Sequence, residues 1–90
     1  MTLTSDAGGV PAIKGIPGPY RFFFYSFDCN EPPHVHARRE STSCKFWLEP
    51  LALADNDGMS SRELMAVRRL IFEYRIRMLE AWREHCGRSY

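Results

Sequence analysis

SSRELMAVRRLIFEYRIRMLEAWREHCG, Ser60 to Gly87, is the stretch that decides the fold class. Leu64, Val67, Ile71, Tyr74, Met78 and Trp82 recur at three- and four-residue steps, so they form one stripe along a helix. Leu70, Leu79 and Ala81 widen that stripe. Arg68, Arg69, Glu73, Arg75, Arg77, Glu80, Arg83 and Glu84 fall on the opposite side, a solvated face of mixed charge. Ser60 and Glu63 match a capping box, in which the hydroxyl covers one free amide and the carboxylate reaches back to another. Gly87 supplies a C-terminal stop. Unbroken, the helix is about 40 Å long at 1.5 Å per residue. An apolar stripe of this kind must be covered by another layer, and the sequence before it supplies strands.

Tyr20-Arg21-Phe22-Phe23-Phe24-Tyr25-Ser26-Phe27 is a nearly continuous aromatic run, which suits a strand covered on both faces. Tyr20, Phe22, Phe24 and Ser26 share one face, and Arg21, Phe23, Tyr25 and Phe27 the other. Asp28 to Pro33 breaks the run. Two further strands are expected, from His34 to about Arg39 and from Ser43 to about Glu49, joined by a turn at Glu40-Ser41-Thr42. In the second, Cys44, Phe46 and Leu48 alternate with Lys45, Trp47 and Glu49. Pro50 ends it, Leu51 to Ala54 adds a short extended piece, and Asp55-Asn56-Asp57-Gly58 reads as a turn. Residues 1–12 are small, polar and Gly-containing and read as a flexible arm. Residues 13–90 form a single domain, with Ile13 to Pro19 holding at most a short edge strand. The expectation is an α+β fold: a small antiparallel sheet of three to four strands packed against one long C-terminal helix.

Ninety residues suffice for one core. Six Phe, four Tyr and two Trp argue for a folded chain. Twelve Lys plus Arg against eleven Asp plus Glu leave a net charge of +1, which argues against a stand-alone DNA-binding regulator. Ten of the twelve cations are Arg, the side chain suited to carboxylate and phosphate. Cys29, Cys44 and Cys86 are odd in number and irregularly spaced, which reads as reduced thiols and a cytoplasmic setting. No apolar run approaches a membrane span and no signal peptide is recognisable, so no membrane partner is expected.

Asn30-Glu31-Pro32-Pro33-His34-Val35-His36 locates the candidate site. The prolines stiffen the approach to the strand, and alternation then puts His34 and His36 on one face. Three chemistries are open to such a pair. As an acid–base site, His34, His36, Glu31 and Arg38 would supply the proton donor, the acceptor and the cation that RNA cleavage needs. As a metal site, His34 and His36 need a third ligand, for which Asp28 is the foremost candidate, with Cys29, Glu31, Cys44, His85 and Cys86 behind it. As a structural motif, the imidazoles would bind backbone or carboxylates and fix the loop. No organic cofactor is expected; a divalent metal is the one candidate. The aromatic strand offers a stacking surface for bases. A sheet edge and an uncovered aromatic face invite a partner chain or a second copy.

The run Phe22-Phe23-Phe24-Tyr25-Ser26, the PPHVHA segment from Pro32, the KFWLEP segment from Lys45 and the helix ending Leu79-Glu80-Ala81-Trp82-Arg83-Glu84-His85 together resemble the bacterial domain-of-unknown-function family 4160. The resemblance covers about residues 13–87. It implies one half of a two-gene, toxin–antitoxin-like pair, acting through a small cognate protein partner. The family has no established catalytic residues to carry over; if this is the toxin, the reading of the residues themselves makes RNA the expected target and Glu31, His34, His36 and Arg38 the expected site. The competing expectation is a non-catalytic interaction or metal-binding module. Many members carry Asp-His shortly before the prolines; this chain has Asp28-Cys29-Asn30-Glu31, one residue longer and without that histidine.

Overall fold

A computed structural model describes residues 3–6 and 10–87, with side chains from Ala12 onward. Strands β2 (Val10–Ile13), β3 (Arg21–Phe23), β4 (His34–Arg39), β5 (Thr42–Leu48) and β6 (Leu51–Asp57) form an antiparallel sheet. β1 (Leu3–Asp6) pairs along β2 and extends it at one edge. Each strand neighbours the next in sequence, so the sheet is a plain meander. Two helices follow, α1 (Ser61–Glu73) and α2 (Arg75–Cys86). The α+β class is as expected. Of the expected arm, Leu3–Asp6 and Val10–Ile13 are the strand pair just named, and residues 1–2 and 7–9 lie outside those described.

The sheet is larger than the three to four strands expected. β6 accounts for part of the difference, because Asp55, Asn56 and Asp57 continue the strand instead of turning. Asn56 closes the turn from within the strand: its side-chain amide donates to the Met59 carbonyl and its Oδ1 accepts from the Met59 amide, both at 3.0 Å. The reversal falls at Gly58, whose φ of +93° suits a residue without a Cβ. A Cβ there would also lie 3.1 Å from Thr42.

The helix is likewise two segments and not one. The ladder runs on through Tyr74, which accepts from Met78 and donates to Leu70, but its ψ of 21° bends the chain out of regular helix. A straight 40 Å rod would overrun a molecule whose longest extent is 35 Å. The break lets α1 follow β5 while α2 lies against β1 and β2. The predicted stripe is nonetheless the buried one: Val67, Ile71, Met78, Leu79, Ala81 and Trp82 are in the core, with Leu64, Leu70 and Tyr74 packed against it. Ser60 and Glu63 form the full capping box. Arg77 departs from the solvated-face expectation, since its guanidinium lies directly over Gly15.

Val35, Ala37, Cys44, Phe46 and Leu48 carry the sheet's side of this core, joined by Phe22 and Phe24. The aromatic run is a strand only as far as Phe23. It ends there because Asp28 captures it: the Tyr25 amide donates to Asp28 Oδ2 at 2.8 Å, and the Asp28 amide donates to the Tyr25 carbonyl at 3.0 Å. A 3-10 turn, Asp28–Asn30, follows. Cys29 in this turn is disulfide-bonded to Cys86 at the end of α2, which corrects the expectation of three reduced thiols. Cys44 is the free cysteine among the described residues, and burial pushes its thiol up to about 11. No helix among the described residues is long and apolar enough to cross a membrane.

Candidate metal centre

The Pro32-Pro33 segment is pinned where it meets the sheet, because the Leu48 amide donates to the Pro33 carbonyl at 3.0 Å. From that anchor β4 presents Val35 and Ala37 to the core and His34 and His36 to the other face, as alternation requires. The two imidazoles stand perpendicular, with centroids 5.1 Å apart. Near the strand's start the outer face is closed. Trp47, the cross-strand neighbour of His34, lies 5.6 Å away edge-on, and Trp82 of α2 lies 5.0 Å away. His34 is thereby wholly buried. His36 is partly exposed, with its ring stacked on Phe23 at 5.3 Å and Tyr25 edge-on at 4.8 Å.

Asp28, itself buried, completes the cluster. One oxygen, Oδ2, lies 3.0 Å from His34 Nε2 and 3.1 Å from His36 Nε2 while also accepting the Tyr25 amide. Burial pushes the Asp28 carboxyl up, but the Tyr25 amide and the two imidazoles outweigh it and hold the group below its ordinary value. His36 is held below its ordinary value by burial, against the pull of Asp28.

His34 Nδ1 lies 2.9 Å from the Pro32 carbonyl. A carbonyl can only accept, so Nδ1 carries a proton, and in a neutral ring Nε2 would be a bare lone pair. That nitrogen is shut off from solvent and makes no hydrogen bond, although Asp28 Oδ2 is only 3.0 Å away. The contact has the distance of an ion pair but not the direction of a hydrogen bond. A proton on Nε2 or a bound cation would make this approach favourable. A ring fixed through Nδ1–H to a backbone carbonyl, with Nε2 free, is the arrangement metal-ligating histidines adopt. Asp28, His34 and His36 bring one ligand atom each within 4.8 Å of one another.

The remaining predicted residues lie around this cluster. Glu31 Oε1 is 2.6 Å from Lys45 Nζ and 3.8 Å from His34 Nδ1, and the lysine holds its carboxyl below the ordinary value. Arg38 is exposed, its guanidinium 5.8 Å over the Phe23 ring. Lys45, opposite His36 in the register, was not singled out from the sequence; alternation about Cys44 and Phe46 was the signal for it. Lys45 also sits 4.6 Å over Trp47. A groove of about 760 Å³ lies elsewhere, lined by Tyr20 before β3 and by Met65, Ala66, Arg69 and Leu70 of α1, with no histidine in its lining.

Fold and site thus define a small α+β domain with a buried cluster of two histidines and one carboxylate. The chain belongs to the family described as Domain of unknown function (DUF4160), which matches residues 20–83. That span holds Asp28, His34, His36 and Lys45 but stops short of His85 and Cys86. No curated protein and no solved structure matches the chain.

Proposed function

We propose that this domain binds a divalent transition metal, zinc or ferrous iron, through Asp28, His34 and His36. The observation that carries the reading is the buried Nε2 of His34, without a hydrogen-bond partner and facing a carboxylate oxygen. Two nitrogens and one oxygen suit these ions. Burial of His34 favours a ligand over a proton carrier, since a group sealed from solvent has no route to a substrate. A metal held by three protein ligands keeps a position for water, whose pKa it lowers. Lys45 and Arg38, on the same face as His36, favour an anionic substrate, and an RNA phosphodiester is the one we assign.

The setting we assign is a bacterial cytoplasmic pair of toxin–antitoxin type, with a small protein as cognate partner. Met65, Phe72 and Ile76, large apolar residues exposed on the helices, support a protein contact on that side. The test of the metal is direct. Purified full-length protein with the Cys29–Cys86 disulfide intact is stripped with chelator, titrated with Zn²⁺ by calorimetry, and compared with Asp28→Asn and His36→Ala. One ion per chain in the wild type and at least tenfold weaker binding in each variant is the expected result. Equal binding by all three would remove the centre. The pair is tested by expression with and without the neighbouring reading frame, following growth and RNA integrity.

A further inference from the structure

A second cluster of metal-ligating atoms joins the Asp28–Asn30 turn to the end of α2. Cys29, Cys86 and His85 each bring one ligand atom within 4.8 Å of the others. They come from distant parts of the chain, since 57 positions separate Cys29 from Cys86. His85 Nε2 is cut off from solvent and makes no hydrogen bond, and the ring sits 5.1 Å from Phe24. In the disulfide form the two sulfurs are bonded to each other; once reduced, they and the unpartnered imidazole nitrogen make a ligand set. None of these three residues belongs to the Asp28, His34 and His36 cluster, so this inference stands whether or not that centre binds metal.

We infer that Cys29, Cys86 and His85 form a thiol-dependent site for a soft divalent cation such as zinc, which alternates with the Cys29–Cys86 disulfide. A dithiol reductant passes two electrons and two protons to the S–S bond and becomes a disulfide itself. The two thiols then lose their protons to solvent as both sulfurs bind the cation, and His85 supplies a third ligand. Oxidation by a disulfide reverses the sequence: the cation leaves, the two sulfurs bond, and two electrons pass to the oxidant, which takes two protons from solvent and becomes two thiols. Two thiolates and an imidazole are the donor set of closed zinc sites, with water or a fourth donor completing the tetrahedron. A reducing cytoplasm would supply the thiol form. Because Cys29 follows Asp28 in the same turn, exchanging one form for the other would act on the neighbouring carboxylate.

Cobalt is the probe, because thiolate ligation gives it an intense sulfur-to-metal charge-transfer band. Full-length protein is titrated with Co²⁺ before and after reduction with a phosphine, and bound metal is counted. The oxidised protein should show no thiolate band. The reduced protein should show the band together with one more cobalt per chain. Cys29→Ser should abolish the band, Cys44→Ala should leave it intact, and His85→Ala should weaken cobalt binding at least tenfold. A reduced protein that binds no extra cobalt, a band that persists in Cys29→Ser, or an affinity unmoved by His85→Ala would each overturn the assignment. Should Cys29→Ser fail to fold, alkylation of the reduced wild type decides instead: zinc must slow labelling of Cys29 and Cys86 and leave Cys44 unchanged. Cobalt bound by the oxidised protein without a thiolate band reports the other centre separately.

Discussion

Replacing His34 by Phe tests the metal reading without emptying the core. The new ring occupies the cage of Trp47, Trp82 and His36, so no cavity opens. Two energetic changes oppose each other in the metal-free protein. The Nδ1–H bond to Pro32 is lost, at about 1 kcal/mol. Where Nε2 of the wild type is a bare lone pair, its removal from Asp28 Oδ2 relieves about 1–3 kcal/mol for an unsatisfied buried group. Metal-free stability should therefore stay close to that of the wild type. Metal is where the two proteins separate. An ion at a hundred times its Kd stabilises a folded domain by about 2.7 kcal/mol. At about 4–8 °C per kcal/mol, that raises the wild-type Tm by roughly 10–20 °C. Losing a ligand costs at least the ~100-fold upper range seen when an outer-shell partner is lost. The same zinc concentration then sits near Kd, worth about 0.4 kcal/mol, or roughly 2–3 °C. The assay is thermal unfolding of oxidised protein with zinc and with excess chelator. Equal zinc-dependent shifts in both proteins, or none in the wild type, would refute the argument.

Three further outcomes are expected. In metal-free protein His36 takes its proton below its ordinary value of 6.5, so the unfolded chain binds more protons than the folded one just under that pH. The stability this confers is complete above 6.5 and declines as pH falls towards the folded value, by at most about 1.4 kcal/mol per pH unit. Denaturant unfolding at pH 7.5 and 5.5 should show a smaller decline in His36→Phe. Lys45→Met should let the Glu31 carboxyl titrate closer to its ordinary value of 4.5, read by NMR, while stability shifts by less than about 1 kcal/mol. Ser60→Ala removes the hydroxyl that accepts the Glu63 amide, and should cost about 1 kcal/mol, or roughly 4–8 °C in Tm.

The helical stripe was legible because burial follows a period that the residues spell out, and its members are the ones in the core. Its interruption at Tyr74 was not. That break answers to the size of the sheet beneath, which no local pattern encodes. Alternation likewise put His34 and His36 on one face, as found. Asp28 was visible only as a nearby carboxylate, since its position depends on a loop closed by the Tyr25 amide. Lys45 meets His36 through a register fixed at the Arg39–Thr42 reversal. Cys29 and Cys86 meet only because α2 ends beside the Asp28 turn, so an odd count at irregular spacing misled. Asp55 to Asp57 carry turn residues yet extend β6, because Asn56 turns the chain with its side chain while its backbone stays in the ladder.

The meander also sets the order in which a growing chain can acquire its parts. Every strand pairs with the one made just before it, so the sheet can assemble hairpin by hairpin during synthesis. Its cover comes last. Val35, Ala37, Phe46 and Leu48 have no helix to pack on until residues 61–86 have been added. A chain halted after Gly58 would hold every strand and still present a bare apolar face, the surface on which unfinished chains aggregate. Whatever meets this protein as it leaves the ribosome meets the sheet before its lid.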